Sequence, residues 1–293
     1  MTPRFVEFAL LLLLATLWGA SFTFIKVGVE TIPPVTLIAA RTAIAAMLLL
    51  AVLRLRGVAM PSDVSLWRRF LYQACLSTVV PFTLIAWAEQ TVDAGLATIL
   101  NSTSPIFTFV LTAFIAGRQS ATWQKLFGVA SGMIGICLIV GVDALAGIRQ
   151  QLLAELALVT AAVCYAGAAI FGRGFGRIDP MLPAAGSLVC GAVVLVPLSL
   201  LLDQPWNLAP SGRSVLALIC LAVFSTALAL TIYFRLLRTL GPVGTTAQAY
   251  LRVPIGVALG VAFLGETLAP TGWAGLIFVI AGIIAMTLPA RAR

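Results

Sequence analysis

The feature that most constrains this chain is a succession of apolar runs, each about as long as a helix must be to cross a bilayer, separated by a few residues rich in proline, glycine or arginine. A transmembrane helix takes about 20 apolar residues. Ten such spans fit, at about 6–28, 35–55, 68–88, 93–114, 123–142, 152–173, 180–202, 213–236, 243–264 and 271–288. Pro33-Pro34, Met60-Pro61, Asp179-Pro180, Pro205, Pro210, Gly241-Pro242 and Pro270 punctuate the connections, where a missing N–H breaks no helical bond. In 293 residues this leaves no room for a soluble catalytic or nucleotide-binding domain. Only 10% of the residues are charged, where a solvated surface normally brings about 25%. The expected fold is all-α and integral to the membrane, with ten transmembrane helices. Arg4 before the first run would suit a signal peptide, but the run is too long, lacks a small-x-small cleavage site and carries Glu7 at its start. It is read as a retained helix.

The net charge of +8 would point to nucleic acid in a soluble protein; here its distribution along the chain argues otherwise. With the N-terminus inside, the inner ends carry Arg4, Arg54, Arg56, Arg68, Arg69, Arg118, Lys125, Arg173, Arg177, Arg235, Arg238, Arg291 and Arg293, and the outer ends only Lys26, Arg149 and Arg213. Cytoplasmic loops of membrane proteins carry this excess. The expectation is a bacterial inner-membrane protein with both termini cytoplasmic, surrounded by lipid, with no nucleic-acid partner.

Several chemistries are missing. Without histidine there is no Ser-His-Asp triad, His-ligated zinc or His proton relay. Lys26 and Lys125 follow Ile25 and Gln124, so no Gly-Lys phosphate loop exists. Cys75, Cys137, Cys164, Cys190 and Cys220 are unclustered and lie in apolar runs, which reads as packing rather than disulfide or metal chemistry. No catalytic residue, metal or cofactor is expected, and the chain is not read as an enzyme.

The two halves keep step. Residues 94–117 and 243–266 align at a shift of 149, which superposes Gly95 on Gly244 and Pro105 on Pro254. A shift of 150 pairs Trp123 with Trp273 and Gly132 with Gly282, and one of 147 pairs Trp18 with Tyr165, Lys26 with Arg173 and Pro33 with Pro180. Two five-helix repeats are expected, 1–142 and 143–293. Five is odd, so the second enters the membrane from the opposite side. Such inverted repeats give a carrier two related, oppositely facing states.

Residues 17–34, LWGASFTFIKVGVETIPP, resemble the opening signature of the drug/metabolite transporter superfamily, and more closely an EamA-type protein. PVTLIAARTAIAAMLLL at 34–50 is similar to that family's second helix, and the endings near 105–118 and 254–266 to its fourth and ninth. One departure is that Gly117 and Arg118 stand where the family usually has glutamate, which the second half keeps as Glu266. The resemblance covers essentially the whole chain. It implies a ten-helix exporter of small metabolites, amino acids and aromatic amino acids among them, with a cavity lined mainly by helices 1, 3, 4, 6, 8 and 9.

Ionisable groups inside a membrane are costly and mark function by default. Arg252 lies near the middle of the ninth span; it either receives a substrate carboxylate or caps carbonyls freed by Pro105 or Pro254. Arg41, nearer the outer interface, is read as structural, its long stem reaching the surface. One or two arginines at different depths do not suit a phosphate-bearing solute, which needs converging cations; a neutral or zwitterionic one fits better. The remaining candidates are aromatic and small polar groups near mid-membrane: Trp18, Ser21, Thr78, Phe82, Asn101, Tyr165, Tyr233, Gln248 and Tyr250. Pro105 and Pro254, at matched depth, are candidate hinges. Gly128 and Gly132 on the fifth helix, and Gly256 and Gly260 on the ninth, read as close packing.

The expected function is a secondary transporter, exporter or exchanger, of small neutral or zwitterionic metabolites, amino acids above all. The alternatives are a multidrug or nucleotide-sugar carrier of the same superfamily, or an intramembrane lipid-modifying enzyme. The partner is a small-molecule substrate; the oligomeric state stays open, and a monomer is compatible with it. No acid lies at mid-span. Glu89, Glu155 and Glu266 sit at span ends, where water can keep them ionised, so the expected driving force is the solute's own gradient.

Overall fold

A computed structural model describes residues 3–92, 97, 100–116, 122–140, 151–252, 254–255 and 270–287, and every regular element among them is helical. The order is α1 (Pro3–Val29), α2 (Pro34–Leu55), α3 (Val64–Ala88), α4 (Ser104–Ala116), α5 (Trp123–Val140), α6 (Leu152–Gly172), α7 (Met181–Leu202), α8 (Gly212–Thr239), α9 (Gly241–Thr246) and α10 (Pro270–Thr287). Among the described residues, α1, α2, α3, α6, α7 and α8 are long and apolar enough to cross a membrane, and shorter apolar helices lie in α4, α5 and α10. After a turn at Ala247, α9 resumes over residues 248–252. The expected repeat boundary at 142–143, Glu266 and the Gly256–Gly260 pair lie outside the described residues.

The helix ends follow from local chemistry. Pro34 opens α2, where the first turn needs no N–H. The same helix ends on Gly57 at φ +68°, with Gly57 N–H donating to the Arg54 carbonyl and Val58 N–H to that of Leu53. This six-to-one and five-to-two pairing requires a left-handed residue, which glycine supplies without Cβ strain. Asp63 caps α3 through Ser65 N–H at 2.9 Å, and Ser211 caps α8 through Ser214 N–H at 3.2 Å.

Apolar side chains face outward as well as inward. Leu13, Phe114, Leu201 and Phe278 are exposed, whereas Ser21, Arg41, Asn101, Thr226 and Gln248 are buried. Exposed apolar side chains in such number belong against lipid.

The halves interlock. α2 packs on α7, α5 on α10 and α4 on α9, while α1 packs on α8 as α3 does on α6. The α5–α10 contact is tight because glycines face each other: a Cβ added to Gly282 would sit 2.6 Å from the Gly128 carbonyl oxygen. Gly128 and Gly132 thus serve the packing expected of them. Both α3 and α8 contain a π-helical segment, Cys75–Val79 and Val223–Leu228, at positions that the alignment of the two sequence halves superposes. A π turn inserts a residue into the helical ladder and leaves carbonyls open to other donors.

Candidate functional site

The π segment of α8 organises the centre of the molecule. Ser225 presents its carbonyl to α1 and α2, receiving Trp18 Nε1 at 3.0 Å and an Arg41 terminal nitrogen at 3.4 Å, while its hydroxyl donates to the Leu17 carbonyl at 2.8 Å. Thr226 Oγ1 donates to the Leu221 carbonyl and accepts Arg41 Nε at 2.6 Å. Held this way, Arg41 lays its guanidinium 4.0 Å above the Phe82 ring, a cation–π arrangement that gains strength away from water. Among the described residues no carboxylate lies within ion-pair distance of Arg41; the ion pairs Arg56–Asp179 and Arg235–Glu7 link helix ends. The expectation that Arg41 would extend to the interface is therefore corrected. It is only 2% exposed and turned inward, because Ser225 and Thr226 offer its nitrogens acceptors inside the bundle.

Arg252 approaches from the other side. Its Nε donates to Gln248 Oε1 at 3.0 Å, and its guanidinium lies 5.4 Å from the Trp18 ring centroid. Trp18 also meets Tyr233 at 5.5 Å, and Phe82 meets Tyr165 at 6.5 Å. Between these groups is a cavity of about 30 Å³ lined by Trp18, Ser21, Ile25, Arg41, Phe82, Ile85, Asn101, Tyr165 and Arg252. A second, of about 20 Å³, shares Trp18, Asn101, Tyr165 and Arg252 and adds Ser104, Tyr233, Thr246, Gln248 and Ala249. Each admits a water molecule and nothing of metabolite size. Asn101, at 1% exposure, lines both and leaves its Nδ2 donor without a partner among the described residues. An unmet buried donor costs about 1–3 kcal/mol, so the amide is placed to gain from an acceptor that enters.

Of the expected residues, the structure brings together Trp18, Ser21, Phe82, Asn101, Tyr165, Tyr233, Gln248 and Arg252. It turns two elsewhere. Tyr250 donates its hydroxyl to the Val129 carbonyl at 3.1 Å and packs its ring on Gly132 of α5. Thr78, in the π segment of α3, shares a hydrogen bond with Ser77 and faces Gly191 of α7. Arg41, Ile25 and Ile85 line the cavity without having been read as site residues; an arginine inside an apolar span was the one available signal. Pro105 is the second residue of α4, and the helix is interrupted just before it, at Ser102 and Thr103. On the matching helix the interruption falls at Ala247, ahead of Pro254, which is itself helical.

Glu89 also departs from expectation. It is 7% exposed, and neither carboxylate oxygen has a hydrogen-bond partner among the described residues. A place at a span end does not hydrate it, because α3 packs against α6 and α2.

The family model of EamA-like transporters matches the chain twice, over residues 6–141 and 152–288. Among curated relatives, the "Uncharacterized inner membrane transporter YedA" of Escherichia coli K12 is 27% identical over 96% of this chain and 90% of its own length. The "Probable amino-acid metabolite efflux pump" of Salmonella typhimurium is 28% identical, covering 97% of this chain and 95% of the relative. The "Probable terminal-alkyne amino-acid exporter" of Streptantibioticus cattleyicolor is 25% identical over 94% and 91%. A solved crystal structure superposes with a TM-score of 0.76 at 17% identity, covering 97% of this chain and 96% of the other, which speaks to the fold.

Proposed function

From the premise that the chain belongs to the EamA-like transporter family, and is thus an inner-membrane transporter of small molecules rather than an enzyme, we propose that it carries neutral or zwitterionic metabolites, chiefly amino acids and aromatic ones among them, as an exporter or exchanger. The observation that carries this reading is the central cavity. Two arginines from opposite halves, Arg41 and Arg252, converge on it beside Trp18, Phe82 and Tyr165. A carboxylate suits the guanidinium groups and an apolar or aromatic side chain suits the rings. Two relatives whose names refer to amino-acid export point the same way.

Alternating access supplies the cycle. The cavity is too small for an amino acid as it stands, so loading requires the helices around it to part. The interlocked halves and the paired π segments support two inverted five-helix repeats, 1–142 and 143–293, of ten spans in all. In that arrangement opening on one face is matched by an equivalent movement on the other. The arginine-rich connections favour a cytoplasmic position for both termini.

Counterflow tests the assignment. Proteoliposomes preloaded with an unlabelled amino acid should draw in the same labelled amino acid transiently and saturably, and L-phenylalanine should be among the active ones. Failure of every neutral amino acid, with counterflow by nucleotide sugars or lipophilic cations instead, would overturn the substrate class.

A further inference from the structure

Glu89 has no role in the site as described, yet its setting is unusual. It follows the last residue of α3, and its spacing from Phe82 and Ile85 puts all three on one helix face. Phe82 and Ile85 line the cavity, so Glu89 lies one turn beyond it along the same stripe. Among the described residues, the charged and titratable groups that act on it are Arg41 from α2, Lys26 from α1 and Tyr165 from α6. None is bonded to it among the described residues.

A carboxylate cut off from water with no hydrogen bonds is strongly disfavoured relative to its acid. Loss of water outweighs the attraction of Arg41 and Lys26, and the proton affinity of Glu89 rises accordingly. In the closed, empty carrier this setting favours the protonated form of Glu89. A cation that takes its place beside the carboxylate would release that proton while keeping the site closed to water. In an amino acid whose carboxylate lies on the arginines, that cation is the α-ammonium group.

Resting on the transport reading above, we infer that Glu89 is both the ammonium site and the proton carrier, so that substrate and proton move in opposite directions. Substrate entering from one side displaces the Glu89 proton into water there, and the ammonium–carboxylate pair neutralises both charges during the crossing. After release on the far side, the emptied carboxylate takes a proton from that side's water, and the closed protonated form returns. One proton is exchanged for one zwitterion, and an inward proton gradient drives export.

The probe is an equimolar mixture of L-amino acids with uncharged side chains, applied to the full chain in lipid. At neutral pH the infrared spectrum should contain a protonated-carboxyl band that is absent in Glu89→Gln and fades when the mixture is added. In weak buffer the wild type should release about one proton per bound substrate and E89Q none. Proteoliposomes with an acidic interior should accumulate the mixture above the external concentration, and a protonophore should abolish this. If E89Q does not fold, Glu89→Asp must shift the band. A missing band, one indifferent to both substitutions, proton uptake on binding, or gradient-independent uptake would each overturn the inference. Absence of counterflow with the mixture would instead strike the transport reading, leaving the band to decide the state of Glu89.

Discussion

At the scale of single residues, the two arginines differ in how they are held. Arg41 is fixed by Thr226 and Ser225 and by the Phe82 ring, all distant in sequence, whereas Arg252 leans on Gln248 one turn away on its own helix. The planar guanidinium matches a carboxylate in two directions at once, which an ammonium does not. Arg41→Ala should therefore raise the half-saturation concentration for amino acids by tenfold or more, about 1.4 kcal/mol, and Arg41→Lys should recover only part of it. Concentration-dependent counterflow reads both variants. An unchanged half-saturation in Arg41→Ala would return Arg41 to a purely structural role. The sequence marked Arg41 as unusual but could not orient it, because its partners lie on α8.

Among the elements, α4 and α9 contribute the segments that are least regular. The interruption at Ser102 and Thr103 accommodates Pro105, which has no N–H for the carbonyl of Asn101 four residues back and whose ring crowds that carbonyl. Ser102 uses the freedom to donate to the Ala249 carbonyl at 3.3 Å, tying α4 to the segment that carries Arg252. Pro105→Ala should restore the ladder, stiffen α4 and slow transport severalfold while the protein still folds. Counterflow rates, with thermal unfolding in detergent as the control, check this, and an unchanged rate would remove Pro105 as a hinge. The matched proline on the other half did not produce a matched break: α9 turns at Ala247. Proline spacing was legible in the sequence, but where a helix yields also depends on its neighbours, and here α4 and α6 border α9.

For the molecule as a whole, the orientation in the membrane is the prediction with the broadest reach. Gly57 has a positive φ, and Asp203 accepts from Thr36 N–H and hydroxyl at 2.8 Å, so neither tolerates a labelling cysteine well. The exposed Ser62 and Asn207 are better placed. With the native cysteines replaced, Ser62→Cys should react with an impermeant maleimide only after the membrane is opened, and Asn207→Cys should react in intact cells. Reaction of both from one side would contradict the inverted-repeat topology.

The all-helical membrane character was legible in the sequence because a bilayer imposes one rule along the whole chain: each span must be apolar and must satisfy its own backbone hydrogen bonds. Arginine asymmetry and repeat spacing belong to the same kind of information, since each is a pattern along one dimension. Eight of the ten residues expected at the centre met there: the amides of Asn101 and Gln248, the hydroxyl of Ser21 and the charge of Arg252 are costly against lipid, which already biases them inward. An aromatic ring carries no such bias, since Phe114 and Phe278 face outward. Which inward-facing groups meet was another matter. Tyr250 went to Gly132 and Thr78 to Gly191, since a glycine on an opposing helix opens space that only three-dimensional packing reveals. Arg41 turned to the cavity for acceptors on α8, and Glu89 lost its water to helices closing around it. Sequence position sets how deep a group lies, but hydration and pairing depend on the neighbours that packing brings, and those only the tertiary structure decided.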